Sequence, residues 1–217
     1  FLDWLKEFRF TGSVFSVPEG SVVFPNEPLV RVSGPLIEAQ FLETFFLNVL
    51  NFQTLIATKA ARIYEASGRG SVIEFGLRRA QGPDGAVSAT RASFIGGCEG
   101  TSNTFAAMKL GIPVRGTMAH SWVMAFQDEI TAFKAYTEVY PDSSILLVDT
   151  FDSLKEGIPH AIKVAKELEA RGKKLRGIRL DSGDLAFLSC EARRMLDEAG
   201  LYDVKIVASN DLDESVS

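Results

Sequence analysis

The chain has 217 residues, of which 46% are hydrophobic and 24% charged, and its sixteen phenylalanines can fill a sizeable core: enough for one large domain, or for a domain and part of another. A formal net charge of −5 argues against non-specific binding to nucleic acid or to an anionic membrane, while leaving room for a local basic pocket. Two cysteines far apart, Cys98 and Cys190, provide neither a disulfide framework nor zinc-ligand spacing and fit a reducing compartment, and apolar runs such as SILLV (144–148) are too short to cross a bilayer.

The opening FLDWLKEF reads as the tail of an amphipathic helix, and the closing VKIVASNDLDESVS starts a strand and a turn, so the chain is expected to be a piece of a longer one. Residues 1–35 alternate short β-prone runs, SVVF (21–24) and LVRVSG (29–34), with Gly and Pro, as in part of a β-rich N-terminal domain. In 36–70, Leu42, Phe45, Phe46 and Leu50 follow helical spacing, then Leu55, Ile56 and Ala60, predicting one or two long bridging helices.

From residue 71 the rhythm changes. Five β-prone runs, SVIEFG (71–76), IPVRGT (112–117), SILLVDT (144–150), LRGIRLD (175–181) and VKIVAS (204–209), are separated by helical patterns. Strands alternating with helices predict an α/β fold with a parallel sheet over 71–217. In 184–199, Leu185, Leu188, Ala192, Met195 and Ala199 share one helical face, with Gly200 as the stop. In 152–171, Ser153 and Glu156 have capping-box spacing and Pro159 marks the first full turn.

Each β-prone run ends in polar groups. LRRAQGPDG follows the first, MAHSW the second, Asp149-Thr150 the third, DSGD the fourth and SND the fifth. In parallel α/β folds such ends converge on one crevice or barrel mouth. The competing explanation is that strands must end in turn residues anyway. Arg78 and Arg79 suit phosphate or carboxylate oxygens, or are a solvated loop pair. The Gly- and hydroxyl-rich GGCEGTSNT (96–104) precedes a helix, whose start can hold a phosphate or simply be capped by Thr101 or Ser102. Asp181 and Asp184 suit diol hydroxyls or Mg²⁺, with Asp184 as a helix cap the alternative. Arg179 lies two residues before Asp181, hence on the same strand face, and Asp149 and Asp211 extend the acidic rim. His120, one of two histidines, is by itself more a structural than a chemical residue. His160, beside Pro159 at a helix start, reads as solvent-facing.

Taken in order, FGLRRAQGPDG, GT-x-AHS, VDTFD, R-x-DSGDL and SNDLDE resemble nicotinate phosphoribosyltransferase, from about residue 10 to the end. The resemblance implies a type II phosphoribosyltransferase fold: a β-rich N-terminal domain and an irregular α/β barrel. It implies transfer of phosphoribosyl from phosphoribosyl pyrophosphate to nicotinate, coupled to hydrolysis of ATP, with Mg²⁺, in a cytoplasmic homodimer with shared active sites. It assigns His120 as the residue ATP phosphorylates, and Thr117, Arg179 and Phe75 to nicotinate. It sets Arg78, Arg79, Ser102, Asp149, Asp181, Ser182, Gly183, Asp184 and Asn210 around phosphoribosyl pyrophosphate, with Asp181 and Asp184 toward the metal. It gives no role to Cys98. The family's N-terminal tyrosine segment and its Gly-rich phosphate loop would lie before Phe1 and after Ser217, so the piece alone is expected to be inactive. The alternatives are a nicotinamide- or quinolinate-using relative, or a catalytically silent phosphate-binding or assembly domain. An aldolase-like barrel would need a Schiff-base lysine, and no strand end offers one.

Overall fold

The computed structural model describes residues 1–215; the last two residues of the closing segment lie outside the described residues. The chain folds as two compact units, one of Phe1–Arg115 with the residues from Asp213, the other of Gly116–Leu212. Within the first unit, the helix at 82–95 packs on the long helix at 36–66, so residues 71–115 group with what precedes them.

In the first unit, α1 (Leu2–Lys6) is followed by an antiparallel hairpin of β1 (Ser13–Ser16) and β2 (Val30–Ser33), in which Val14 pairs with Val32. SVVF is not a strand: it lies in the connection between the two, where Pro18, Gly20 and Pro25 interrupt pairing, and the strand is SVFS instead. One helix, α2 (Leu36–Ala66), runs for 31 residues. Against it packs α3 (Gly82–Ile95), and the approach at its end is close: a Cβ on Gly96 would sit 2.4 Å from the Ala57 carbonyl oxygen. A short parallel pair, β3 (Ile73–Glu74) and β4 (Gly100–Thr101), and α4 (Thr104–Leu110) complete the unit. The run IPVRGT forms no strand, only one bridge from Val114 to Thr101, since Pro113 has no N–H to give a ladder.

The second unit contains the helices α5 (His120–Val123), α6 (Glu129–Val139), α7 (Ile158–Ala170) and α8 (Leu185–Glu198). Its strands β5 (Ile145–Leu147), β6 (Gly177–Leu180) and β7 (Lys205–Ala208) form a parallel sheet in that order. The α/β class is therefore as expected; among the described residues the strands form three separate sheets and no closed barrel. Leu146, Leu147, Val148, Ile178 and Leu180 are fully buried, as residues of a parallel sheet covered on its faces must be. Phe133 of α6, Ile158 and Val164 of α7, and Leu196 of α8 close over them. The predicted stripe of α8 packs there, with Ala192 fully buried and Leu185, Leu188, Met195 and Ala199 at its edges; Leu196, four residues past Ala192, is the deepest contact the stripe omitted. Gly200 takes the left-handed conformation (φ 76°) that ends the helix.

Before α7 the chain makes a single π-helical turn, Ser153–Gly157, with Gly157 N–H reaching back five residues to the Asp152 carbonyl. The cap is Asp152, whose Oδ1 accepts from Leu154 and Lys155 N–H, not the predicted Ser153. The extra residue in the turn shifts the start by one, and Pro159 then sits in the first turn of α7 as expected.

Candidate functional site at the strand ends

The register of the three parallel strands sets the site. Leu147, Arg179 and Val207 lie level across the sheet. The residues two further on, Asp149, Asp181 and Ser209, therefore emerge together on the face of Leu147, Arg179 and Val207 at the carboxyl edge. The Val148 N–H to Arg179 carbonyl (3.1 Å) and Ser209 N–H to Leu180 carbonyl (2.9 Å) bonds carry the alignment past the strands.

Asp149 is the hub. Its side chain is 1% exposed, and its Oδ1 lies 3.2 Å from Nε2 of His120. Its Oδ2 accepts the Asp181 N–H (3.0 Å) and the Ser182 hydroxyl. A buried carboxylate needs such partners. His120 opens α5 and its ring is 38% exposed, so one ring nitrogen is tied to Asp149 while the ring remains reachable.

Beside this pair lies a second network. Arg179 donates from Nη1 to Thr117 Oγ1 (2.9 Å), from Nη2 to Asp181 Oδ1 (2.6 Å) and from Nε to Ser209 Oγ (2.8 Å). Ser209 Oγ in turn donates to Asp181 Oδ1. Burial works against ionisation of Asp181, yet the Ser209 hydroxyl and the Arg179 guanidinium, with His120 nearby, outweigh it and hold the carboxyl below its usual range. An acid so depressed stabilises the fold above its ordinary pKa, about 3.9, and that contribution is lost as pH falls through the lowered value. Asp181→Asn in the full-length protein is accordingly expected to unfold at a lower urea concentration than wild type at pH 7, with the gap closing below pH 4; a gap that is constant with pH would refute this.

The structure thus brings together Thr117, His120, Asp149, Arg179, Asp181 and Ser182. Gly183 turns the chain with φ 78°, and Asp184 accepts Phe187 N–H through Oδ1, so its helix-capping role is present. Asn210 and Asp211 are exposed beyond the cluster, Asn210 at φ 100°. In the other unit, Phe75 is half-buried and Arg78 and Arg79 are exposed on the 3₁₀ turn Leu77–Arg79. Ser102 does not cap α4, and neither does Thr101: Asn103 does, accepting Ala106 N–H at 3.1 Å, while Ser102 N–H pairs with the Glu74 carbonyl. Thr101 instead donates to the Glu74 carboxylate at 2.6 Å, as Thr90 does at 3.1 Å.

His160 is a correction. It is not only solvent-facing: its side chain stays 33% exposed, but because α7 packs on α6 its Nδ1 lies 2.8 Å from Oε2 of Glu129, whose side chain is 2% exposed. Ser209 and Glu129 were missed as well. The signal for Ser209 was available, since it stands two residues past a strand row as Asp149 and Asp181 do. Glu129 carried none, being one acid among several at the start of a helix. Burial, with the Glu74 charge second, pushes the Cys98 thiol up to about 11, so it is a poor nucleophile.

A parallel α/β sheet whose carboxyl edge gathers an ion-paired, hydroxyl-rich cluster is the arrangement of a small-molecule site of the α/β class. Residues 71–199 match the model of the nicotinate phosphoribosyltransferase (NAPRTase) family, and residues 1–51 that of the NAPRTase N-terminal domain. The chain is 55% identical over 200 residues to nicotinate phosphoribosyltransferase of Bacillus subtilis, a match covering 92% of this chain and 40% of that protein. It is 51% identical over 215 residues to nicotinate phosphoribosyltransferase pncB2 of Mycobacterium tuberculosis, covering 99% and 46%. The crystal structure of human nicotinic acid phosphoribosyltransferase superposes with a TM-score of 0.91 at 34% identity, covering 100% of this chain and 54% of that one. The chain belongs to the nicotinate phosphoribosyltransferase family, and it spans less than half the length of these two curated relatives.

Proposed function

We propose that the full-length protein transfers phosphoribosyl from phosphoribosyl pyrophosphate to nicotinate, giving nicotinate mononucleotide and pyrophosphate for NAD biosynthesis, with ATP phosphorylating His120. The observation that carries this is the His120–Asp149 pair. A carboxylate only accepts hydrogen bonds, so Asp149 holds the proton on Nε2 and leaves the lone pair on Nδ1. Nδ1 attacks the γ-phosphorus; the N–P bond forms as the bond to the bridging oxygen breaks, and ADP leaves. The phosphoryl group adds negative charge beside the Arg179–Asp181 network, and this charge alters substrate binding so that hydrolysis drives the transfer.

Thr117 and Arg179 take nicotinate in this reading; a guanidinium favours the acid over the amide, because a charged carboxylate left without a partner in a closed pocket is costly. Asp149, Ser182, Gly183 and Asn210 serve the ribose and phosphates in the same reading. Asp181 and Asp184 each have one oxygen engaged within the chain, Asp181 Oδ1 by Arg179 and Ser209, Asp184 Oδ1 by the cap, and the second oxygen of each is the one this reading gives to the metal. That set suits Mg²⁺, which takes one or two carboxylate oxygens and keeps waters and substrate phosphates as its other ligands. Mg²⁺ would neutralise the charge of the leaving pyrophosphate. Among the described residues no helix is long and apolar enough to cross a membrane; the reading adds a cytoplasmic homodimer with shared sites, for which the exposed Phe41, Phe45 and Leu55 of α2 offer an apolar face.

The test uses the full-length protein and γ-labelled ATP. Acid-labile, base-stable label is expected on the wild type and none on His120→Ala; absence of label from the wild type would overturn the phosphohistidine. Turnover of nicotinate well above nicotinamide and quinolinate is expected in the same preparation, and equal rates would remove the role given to Arg179.

A further inference from the structure

Glu129 and His160 line a cavity of about 490 Å³ within the second unit, and none of Thr117, His120, Asp149, Arg179, Asp181 or Ser209 contributes to it. Its exposed rim is mixed, with Phe151 59% and Met124 61% exposed beside the exposed Gln127, Asp128 and Glu156. Its charged lining groups are acidic: Asp128, Glu129 and Glu156 line it, with the Gln127 amide, the His160 imidazole and no lysine or arginine.

Acidic residues on a surface are ordinary, but Glu129 is not on the surface. Its side chain is 2% exposed, and while Oε2 meets His160, Oε1 is buried with no hydrogen-bond partner. A buried carboxylate oxygen without a hydrogen-bond donor is destabilising. Burial, reinforced by the charges of Glu156 and Asp149 and opposed by His160, raises the Glu129 pKa accordingly. The other unpartnered buried side-chain atom among the described residues, Thr150 Oγ1, belongs to the residue just before Phe151.

A deep acceptor without a donor, a surplus of carboxylates and aromatic or thioether walls at the mouth define one kind of occupant. We propose that this cavity binds a small organic cation, an amidinium or ammonium group carried on an aromatic or apolar body, with Glu129 as its anchor. The cationic N–H groups give Glu129 the charge-assisted partner it lacks, Asp128 and Glu156 balance the charge at the entrance, and Phe151 and Met124 cover the apolar body. The proposal goes beyond the phosphoribosyl-transfer reading and does not depend on it.

Benzamidine is the probe, titrated calorimetrically into the full-length protein, with benzamide as its neutral isostere. Saturable benzamidine binding is expected, at least tenfold tighter than benzamide. Glu129→Gln should weaken it tenfold or more, and Phe151→Ala, at an exposed position that the fold does not need, severalfold. His120→Ala should leave it unchanged, so failure of the phosphohistidine assay and failure of this proposal are separable. No saturable binding, equal affinity for benzamide, displacement by nicotinate, or full affinity in Phe151→Ala and a folded Glu129→Gln would each overturn it.

Discussion

On the proposed mechanism, replacing Asp149 by asparagine in the full-length protein is expected to slow phosphorylation of His120 by about 10²–10⁴ while leaving the protein folded. The substitution keeps shape and volume but gives Asp149's position a donor. Its two existing donors, the Asp181 N–H and the Ser182 hydroxyl, will claim the amide oxygen. The amide nitrogen then faces His120 Nε2 and must donate to it, which moves the ring proton to Nδ1, the nitrogen that has to attack. Rapid-quench measurement of label transfer from γ-labelled ATP reads the rate, and thermal unfolding shows that structure is retained. An unchanged rate in a folded variant would mean that Asp149 does not set the tautomer. Alanine is a poorer test: it takes the acceptor from two part-buried donors and loses stability along with activity.

Gly157→Ala is expected to destabilise the second unit by about 3 kcal/mol or more, at the severe end of what overpacking does. Gly157 has ordinary helical angles (φ −58°, ψ −53°), so conformational freedom is not its reason for being glycine. Space is: a Cβ there would lie 1.8 Å from the Val148 carbonyl oxygen and 2.7 Å from its carbon. Val148 is fully buried and its N–H is held by the Arg179 carbonyl, so the backbone has no room to retreat. Because Asp149 is the next residue, any relaxation is transmitted to the site. Urea unfolding and soluble yield measure the loss. Gly85→Ala is the control, in a helix with nothing within 4 Å of the new methyl, and should be neutral or mildly stabilising. Equal behaviour of the two variants would remove the steric argument.

How much of this was legible in the sequence depended on the length of the signal. SILLV, GIRL and KIVA are short, mainly apolar runs followed by polar residues, and all three became strands of one parallel sheet with Asp149, Asp181 and Ser209 at its edge. The face of α8 was readable because fourteen residues give its period time to show. The shorter runs were not: IPVRGT has the composition of a strand, but Pro113 removes a ladder donor, and SVVF lost to SVFS because pairing, not propensity, chose between two similar four-residue runs. His160 was misread because Pro159 marks a helix start without saying which way the next side chain points; the π-turn and the packing of α6 on α7 decide that, and neither leaves a local mark. Glu129 is the same case from the other side, an acid whose burial is purely tertiary.

The level row of Leu147, Arg179 and Val207 has a consequence for how the chain tolerates changes in length. Side chains alternate between the faces of a strand, so inserting or deleting one residue between Ile145 and Asp149 would turn Asp149 away from His120. The same holds from Gly177 to Asp181 and from Lys205 to Ser209. The three strand ends work as a reading frame: two-residue changes would displace a group, one-residue changes would erase it, and the connections between helices are left as the places where this part of the chain can grow.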